Sequence, residues 1–293
     1  MIEGMYCRSF VRMSKWKPNA DSWSFLFSLL DDVSKEKVTS FHFQRDAKAS
    51  LIGKIISKYY LHLLLHSSPE DIHFRYSARG RPSLSSHRNT VDFNVSHNGD
   101  MVAFASNPWP LKVGVDVMEI RPPGNRTILQ FIGTFKSQFD PDEFAYIHSG
   151  ETEHEKLHNF FRLWCLKESV IKATGTGLGL NLARLKFSIY EALKDSDIIT
   201  SSQVSLDACS DQSFSFEESL IDNDYCITAS NLLENPSEPL RNLIPSVKFT
   251  EMNFVDIIPQ LQKFQLSFPP DVSAWESYIS KPFSPHNPID PAV

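Results

Sequence analysis

Cysteine is scarce in this chain: four occur in 293 residues, at positions 7, 165, 209 and 226, and no two form a C-x-x-C pair. That spacing excludes a disulfide framework and the common zinc and thioredoxin-type motifs, and it points to a reducing compartment. Long apolar runs are missing as well. The longest stretches, around Phe25 to Leu30 and Tyr59 to Leu65, are far shorter than the roughly 20 residues of a membrane span, and the first residues carry no secretory apolar segment. Arg8, Arg12, Lys15 and Lys17 lie in a stretch without clear amphipathic order, so no transit peptide is read there. A cytosolic protein with no membrane association is expected. Positive charge is also short: 29 Lys and Arg against 35 Asp and Glu leave a net charge of −6, which argues against a nucleic-acid partner.

What is present is core material. Hydrophobic residues make up 41% of the chain, with 22 phenylalanines, enough for one large or two small domains. The first twenty residues alternate loosely as a strand up to Lys17-Pro18-Asn19. Asp21 to Leu30 opens on a capping residue and continues with Trp23, Phe25, Leu26, Leu29 and Leu30 at helical spacing. A longer amphipathic helix follows Phe41 to Lys48 through Leu51, Ile52, Ile55, Ile56, Tyr59 and Leu63. Val91 to Ser96 and Met101 to Ala105 flank an Asn98-Gly99 turn and predict a hairpin. Lys112 to Val117 is a short β-branched strand carrying one carboxylate, Asp116. Phe131, Phe135 and Phe139 belong to a mixed helical region. Four short strands are expected at 184–189, 203–206, 214–217 and 224–229. Beyond 232 the prolines at 236, 239, 245, 259, 269, 270, 282, 285, 288 and 291 predict an irregular extension, packed down by Phe254, Leu261, Phe264, Phe268 and Trp275. The boundaries read from this are 1–112, 113–232 and 233–293.

The chemistry concentrates on Phe161 to Ala173, a predicted helix running into Gly175, Gly177 and Gly179. Trp164, Glu168 and Lys172 follow one another at spacings of four along one face. Alone, Glu168 and Lys172 make an ordinary surface pair. Arg45 enters the long helix beside Asp46, its possible ion-pair partner. Ser77-Ala78-Arg79-Gly80-Arg81-Pro82 is a loop whose arginines, with Arg75 ahead, suit phosphate as well as solvent. His97 precedes the hairpin turn. Ser96 and His97 make no hydrolase pair, because neighbours on a strand face opposite ways. Gly175-Thr-Gly-Leu-Gly179 is no nucleotide fingerprint, since it ends a helix. The polar stretch 150–158, with His148, His154, His158, Glu151, Glu153 and Glu155, is read as a solvated helix start rather than a metal site.

Trp164-x-x-Lys-Glu-Ser-x-x-Lys172 resembles the signature helix of the 4′-phosphopantetheinyl transferases. Lys112-Val-Gly-Val-Asp-Val117, Phe93-Asn-Val-Ser-His97, Arg45-Asp-Ala-Lys48 and Arg79-Gly-Arg-Pro82 are similar to further motifs of that family, in the order of its larger eukaryotic members. The resemblance implies an α+β fold of two similar α/β lobes related by a pseudo-twofold, with the cofactor between them and a Pro-rich C-terminal extension. It also implies transfer of the 4′-phosphopantetheine arm of coenzyme A to a serine of apo acyl carrier domains. Fatty acid synthase or an aminoadipate-semialdehyde-type dehydrogenase would carry those domains, and a monomer is expected. Asp116 and Glu168 would hold Mg²⁺ in the second lobe, and Glu168 and Lys172 would be catalytic. Arg45, Tyr76, Ser77, Ala78, Arg79, Gly80, Arg81, Asn94, Val95, Ser96, His97 and Lys172 would bind coenzyme A. Two positions depart from the pattern. Tyr76 stands where larger members tend to have an arginine, and Met118 stands where the bacterial surfactin-synthetase-activating type has a third carboxylate ligand. Water is expected in place of that ligand, with Glu119 on the opposite face. The alternatives are a non-catalytic coenzyme A or carrier-protein binding module, and a metal-dependent phosphoesterase.

Overall fold

The computed structural model describes residues 5–283 apart from 88, 123, 196, 208 and 265–270. Phe268, Pro269, Pro270, Pro285, Pro288 and Pro291 lie outside the described residues. In the first lobe β1 (Cys7–Arg12) is followed by α1 (Ala20–Ser28), α2 (Asp32–Ser40) and the 22-residue α3 (Gln44–Leu65). The cap of α1 is Asn19 rather than Asp21: its side chain accepts from the Ser22 N–H, and the Asn19 N–H donates to Ser22 Oγ. α2 escaped the sequence reading because it buries only Ser34 and Val38 and therefore shows almost no apolar periodicity. Strands β2 (Phe74–Tyr76) and β3 (Pro82–Leu84) pair across the arginine loop, and β4 (Val91–Asn98) and β5 (Met101–Pro108) form the expected hairpin. α3 buries Leu51, Ile52, Ile55 and Ile56 against Phe93, Val102 and Phe104 of that hairpin, which makes the first core.

The second lobe repeats the plan. β6 (Lys112–Glu119), α4 (Ile128–Thr134), α5 (Pro141–His148) and the 22-residue α6 (Glu153–Thr174) precede β7 (Leu185–Ser188), β8 (Gln203–Leu206), β9 (Cys209–Ser210), β10 (Phe214–Ile221) and β11 (Tyr225–Leu232). β6 pairs with β11, placing Asp116 opposite Thr228, and β11 pairs with β10. α6 lies directly on β6 because residue 114 is glycine. A Cβ there would come 2.0 Å from the Ser169 carbonyl oxygen and 2.3 Å from the Ala173 nitrogen. This close approach sets the distance between the strand that carries Asp116 and the helix that carries Glu168 and Lys172.

The lobes meet where β4 runs beside β6, yet these strands belong to different sheets. Side chains of β4 replace a backbone ladder. Asp92 Oδ2 accepts from the Val113 N–H (2.8 Å), Asn94 Oδ1 from Val115 (3.0 Å) and Asn98 Oδ1 from Glu119 (2.9 Å). Each such bond contributes about 1 kcal/mol, and an orphaned strand edge here would cost more.

The chain beyond 232 returns to the first lobe in ordered form. β12 (Thr250–Glu251) extends its sheet in the order β12-β1-β5-β4, and α7 (Phe254–Gln262) and α8 (Val272–Ile279) cover its core. The prolines predicted irregular structure here, but Pro259 sits inside α7. The lost backbone bond is offset by burial of Phe254, Ile257, Ile258 and Leu261, each contributing roughly 1.5–3 kcal/mol. The chain adopts an α+β fold, as expected. Among the described residues no helix is long and apolar enough to cross a membrane.

Candidate functional site

Alternation along β6 turns Gly114, Asp116 and Met118 toward α6, while Val113, Val115 and Val117 enter a separate apolar layer. Asp116 is only 3% exposed. Its Oδ1 accepts from the Lys172 ammonium (2.5 Å) and from Ser96 Oγ (2.9 Å), and Lys172 also donates to Ser96 Oγ (2.7 Å). Its Oδ2 is buried and accepts from nothing among the described residues. Glu168 stands one turn before Lys172 on α6. Burial and then the Asp116 charge push its carboxyl up to about 7, against the opposing pull of Lys172. Asp116 holds the Lys172 ammonium, Glu168 feels its charge, and one buried oxygen is open. A hard divalent cation fits such a pair, because it keeps several waters and takes further oxygens from a phosphate. Among the described residues no three His, Cys, Asp or Glu side chains converge as a metal site. Met118 faces as Asp116 does but packs in the apolar cluster with Phe131 and Phe161, and Glu119 pairs with Arg121 at 2.5 Å.

Trp164, on the same helix face, packs against Phe135 and Phe160 with centroid distances of 5.1 and 5.9 Å. It is core rather than chemistry. On β4, Asn94 and Ser96 face β6, whereas Val95 packs on the first core and His97, two residues on along the same face, is exposed. The His97 ring reaches solvent, yet the protein crowding it and the charges of Lys172, Lys54 and Arg45 hold its pKa below the usual imidazole range. A neutral ring surrounded by cations suits an arriving anion. Arg45 Nη2 donates to the Gly99 carbonyl at the hairpin turn (2.5 Å).

The arginine loop is held to the end of α6. Gly80, at φ 83, donates to the Ser77 carbonyl in a tight turn, and the Ser77 and Arg81 main chains bond across it. Arg79 donates to the Thr176 carbonyl, and its stem lies where a Cβ on Gly177 would be 3.1 Å away. The glycines after α6 therefore do more than end the helix: they seat this arginine. Arg81 uses four of its five N–H groups, on both Asp92 oxygens (3.0 and 2.6 Å) and on the Lys172 (2.8 Å) and Val113 (2.9 Å) carbonyls. It ties loop, β4, β6 and α6 together at the Lys172 backbone. Tyr76 lies farther out, with its hydroxyl 3.2 Å from Ser34 Oγ and the Lys37 ammonium 3.4 Å from its ring centre. Ala78 is exposed on the loop.

Sequence reasoning passed over Lys54, Lys37 and Asp92. Burial, and then Lys37, lower the Lys54 pKa to about 8, which marks a crowd of positive charge beside His97. Lys54 had a local signal in its position four after Ser50, to which it donates (2.9 Å); Lys37 and Asp92 depend on tertiary packing.

The chain is similar to known proteins over both lobes. Residues 14–109 match the model of the 4′-phosphopantetheinyl transferase N-terminal domain, and residues 112–230 match that of the 4′-phosphopantetheinyl transferase superfamily. The chain is 30% identical over 276 residues to a human L-aminoadipate-semialdehyde dehydrogenase-phosphopantetheinyl transferase, covering 90% of this chain and 87% of that protein. It is 31% identical over 252 residues to the Xenopus laevis protein of the same name, covering 83% and 82%. It is 30% identical over 226 residues to a phosphopantetheinyl transferase of Thraustochytrium, covering 75% and 76%. With both lobes matched and the likeness running through most of its length, the chain belongs to the 4′-phosphopantetheinyl transferase superfamily.

Proposed function

We propose that the chain moves the 4′-phosphopantetheine arm of coenzyme A onto a serine hydroxyl of an apo acyl carrier domain, releasing adenosine 3′,5′-bisphosphate. The observation that carries this reading is the open, buried Oδ2 of Asp116 beside Glu168 and Lys172. Asp116 and Glu168 would hold Mg²⁺, which when bound neutralises pyrophosphate charge. The serine oxygen forms a bond to the phosphorus that bears the pantetheine arm, and the bond from that phosphorus to the bridging oxygen breaks. Glu168, with its pKa near neutrality, takes the hydroxyl proton. Lys172 presents an ammonium to the phosphoryl oxygens. Arg45, Arg79, His97 and Lys54 line the side suited to the nucleotide phosphates, while Arg81 positions the end of α6. The names of the relatives support an aminoadipate-semialdehyde-type dehydrogenase as one carrier-bearing substrate; fatty acid synthase is proposed as a second on the family resemblance alone. The protein works as a cytosolic monomer.

The test is to incubate the protein with coenzyme A, Mg²⁺ and an apo carrier domain and to weigh the carrier intact. Gain of one phosphopantetheine with matching bisphosphate release is expected. Bound coenzyme A without any mass gain would instead favour a binding module, and bisphosphate release without gain would favour a phosphoesterase.

A further inference from the structure

The corner between α2 and α3 is closed from the far end of the chain. α2 stops at Ser40, and the last carbonyls of a helix have no donor within it. Here the Lys281 ammonium supplies one, donating to the Thr39 and Phe41 carbonyls, each at 2.7 Å. α3 begins without a side-chain cap from Phe43, so its first N–H groups need acceptors from elsewhere. The Gln44 N–H donates to the Pro282 carbonyl (3.0 Å), and its side-chain amide donates to the carbonyls of Ile279 (3.1 Å) and Lys281 (2.8 Å). Five hydrogen bonds thus join residues 39–44 to residues 279–282.

The segment that makes these bonds is itself anchored. Tyr278, the residue before it begins, is buried and stacks on Trp23 of α1 with ring centroids 3.8 Å apart. The Lys281 N–H donates to the Tyr278 carbonyl, which holds the lysine against the end of α8. What the corner carries is Arg45, the residue after Gln44. Its guanidinium donates to the Gly99 carbonyl, two residues beyond His97, so Arg45 and His97 reach the same hairpin turn from opposite sides.

We propose that Lys281 is a positioning residue for Arg45: by pinning the α2–α3 corner it keeps the guanidinium beside the hairpin turn, ready for a phosphate at the nucleotide end of the cleft, a role that rests on coenzyme A being the ligand there. Lys281 touches no ligand itself. A cation already in place spares the arriving anion the cost of ordering it. Lys281 therefore acts on affinity for coenzyme A, while the chemical step, carried by Asp116, Glu168 and Lys172 on β6 and α6, proceeds as before.

Calorimetric titration of the full-length protein with coenzyme A tests the role, alongside transfer rates and melting curves of the same samples. Lys281→Met should raise the Kd roughly fivefold to tenfold, with kcat at saturating coenzyme A unchanged, and Lys281→Arg should bind as wild type does, because it restores the donor. In an Arg45→Ala background Lys281→Met should cost little more affinity, since the group it positions is gone. A lowered melting temperature with unchanged Kd would make Lys281 a helix cap and nothing else, and overturn the role. An equal further loss of affinity in the Arg45→Ala background would overturn it as well. Failure of wild type to bind coenzyme A would overturn the reading of the cleft itself, and this role with it.

Discussion

Lys167 and Lys172 stand five residues apart on α6 and meet carboxylates in opposite ways. Lys167 is fully buried, pairs with Glu143 at 2.8 Å and donates to the Leu182 and Leu185 carbonyls, while the Glu143 oxygens also accept from the Asp140 and Phe187 N–H groups at 2.9 Å. Every donor there has its acceptor. The buried Arg162 with Glu218 and Arg8 with Glu217 are knit in the same closed way. Lys172 is 26% exposed and shares Asp116 with Ser96, and the second Asp116 oxygen stays open in a buried place. A closed network serves the fold, whereas an open one stores a demand that a ligand can satisfy.

Exchanging the two lysines separates these roles. Lys172→Met should lower transfer by on the order of a hundredfold to a thousandfold, measured by carrier mass, and, because it leaves the buried Asp116 with Ser96 alone, should also lower the melting temperature, though less than Lys167→Met, since Lys172 is partly exposed and makes fewer bonds. Lys167→Met should act on the fold alone, destabilising by about 3–5 kcal/mol in denaturant titration because Glu143 is left buried and unpaired, while molecules still folded transfer normally. Gly114→Ala tests the spacing on which the open site depends. Its methyl meets helix backbone, so it should cost about 1–3 kcal/mol and also reduce transfer, by pushing α6 away from Asp116. A normal rate from a fully folded variant would uncouple the helix approach from the chemistry.

Glu168→Gln sharpens the comparison through pH. Unfolded, this carboxyl titrates near 4.5, and folded it titrates near 7. Between those values the unfolded chain has lost a proton that the folded chain keeps, so metal-free stability declines as pH rises through this window. Glu168→Gln should remove that decline and melt higher than wild type at pH 8, by on the order of 1–2 kcal/mol after allowing for solvent contact, with the gain vanishing below about pH 4.5. A smaller effect is expected from His97→Ala, which should raise the KM for coenzyme A a few-fold and leave dephospho-coenzyme A nearly unaffected. Equal losses on both substrates would leave His97 a turn residue.

Much of this was legible in the sequence where period or turn chemistry is local. The helix through Glu168 and Lys172 and the Asn98-Gly99 hairpin follow from spacing and turn residues alone. The rungs from Asp92, Asn94 and Asn98 to β6 were not legible, because they depend on how two sheets lie side by side. Arg81 reads as a phosphate clamp until Asp92, eleven residues later in the chain, is seen to take its guanidinium fork. α7 was hidden by Pro259, although Ile257, Ile258 and Leu261 carried its periodicity.

The open carboxylate as the seat of transfer is tested most directly by intact-mass analysis of an apo carrier after incubation with Asp116→Asn or with Glu143→Gln. Both variants replace a buried aspartate or glutamate beside a lysine of α6 with its amide. Glu143→Gln should transfer at near wild-type rate per folded molecule, and Asp116→Asn should leave the carrier unmodified. Efficient transfer by Asp116→Asn would contradict the account.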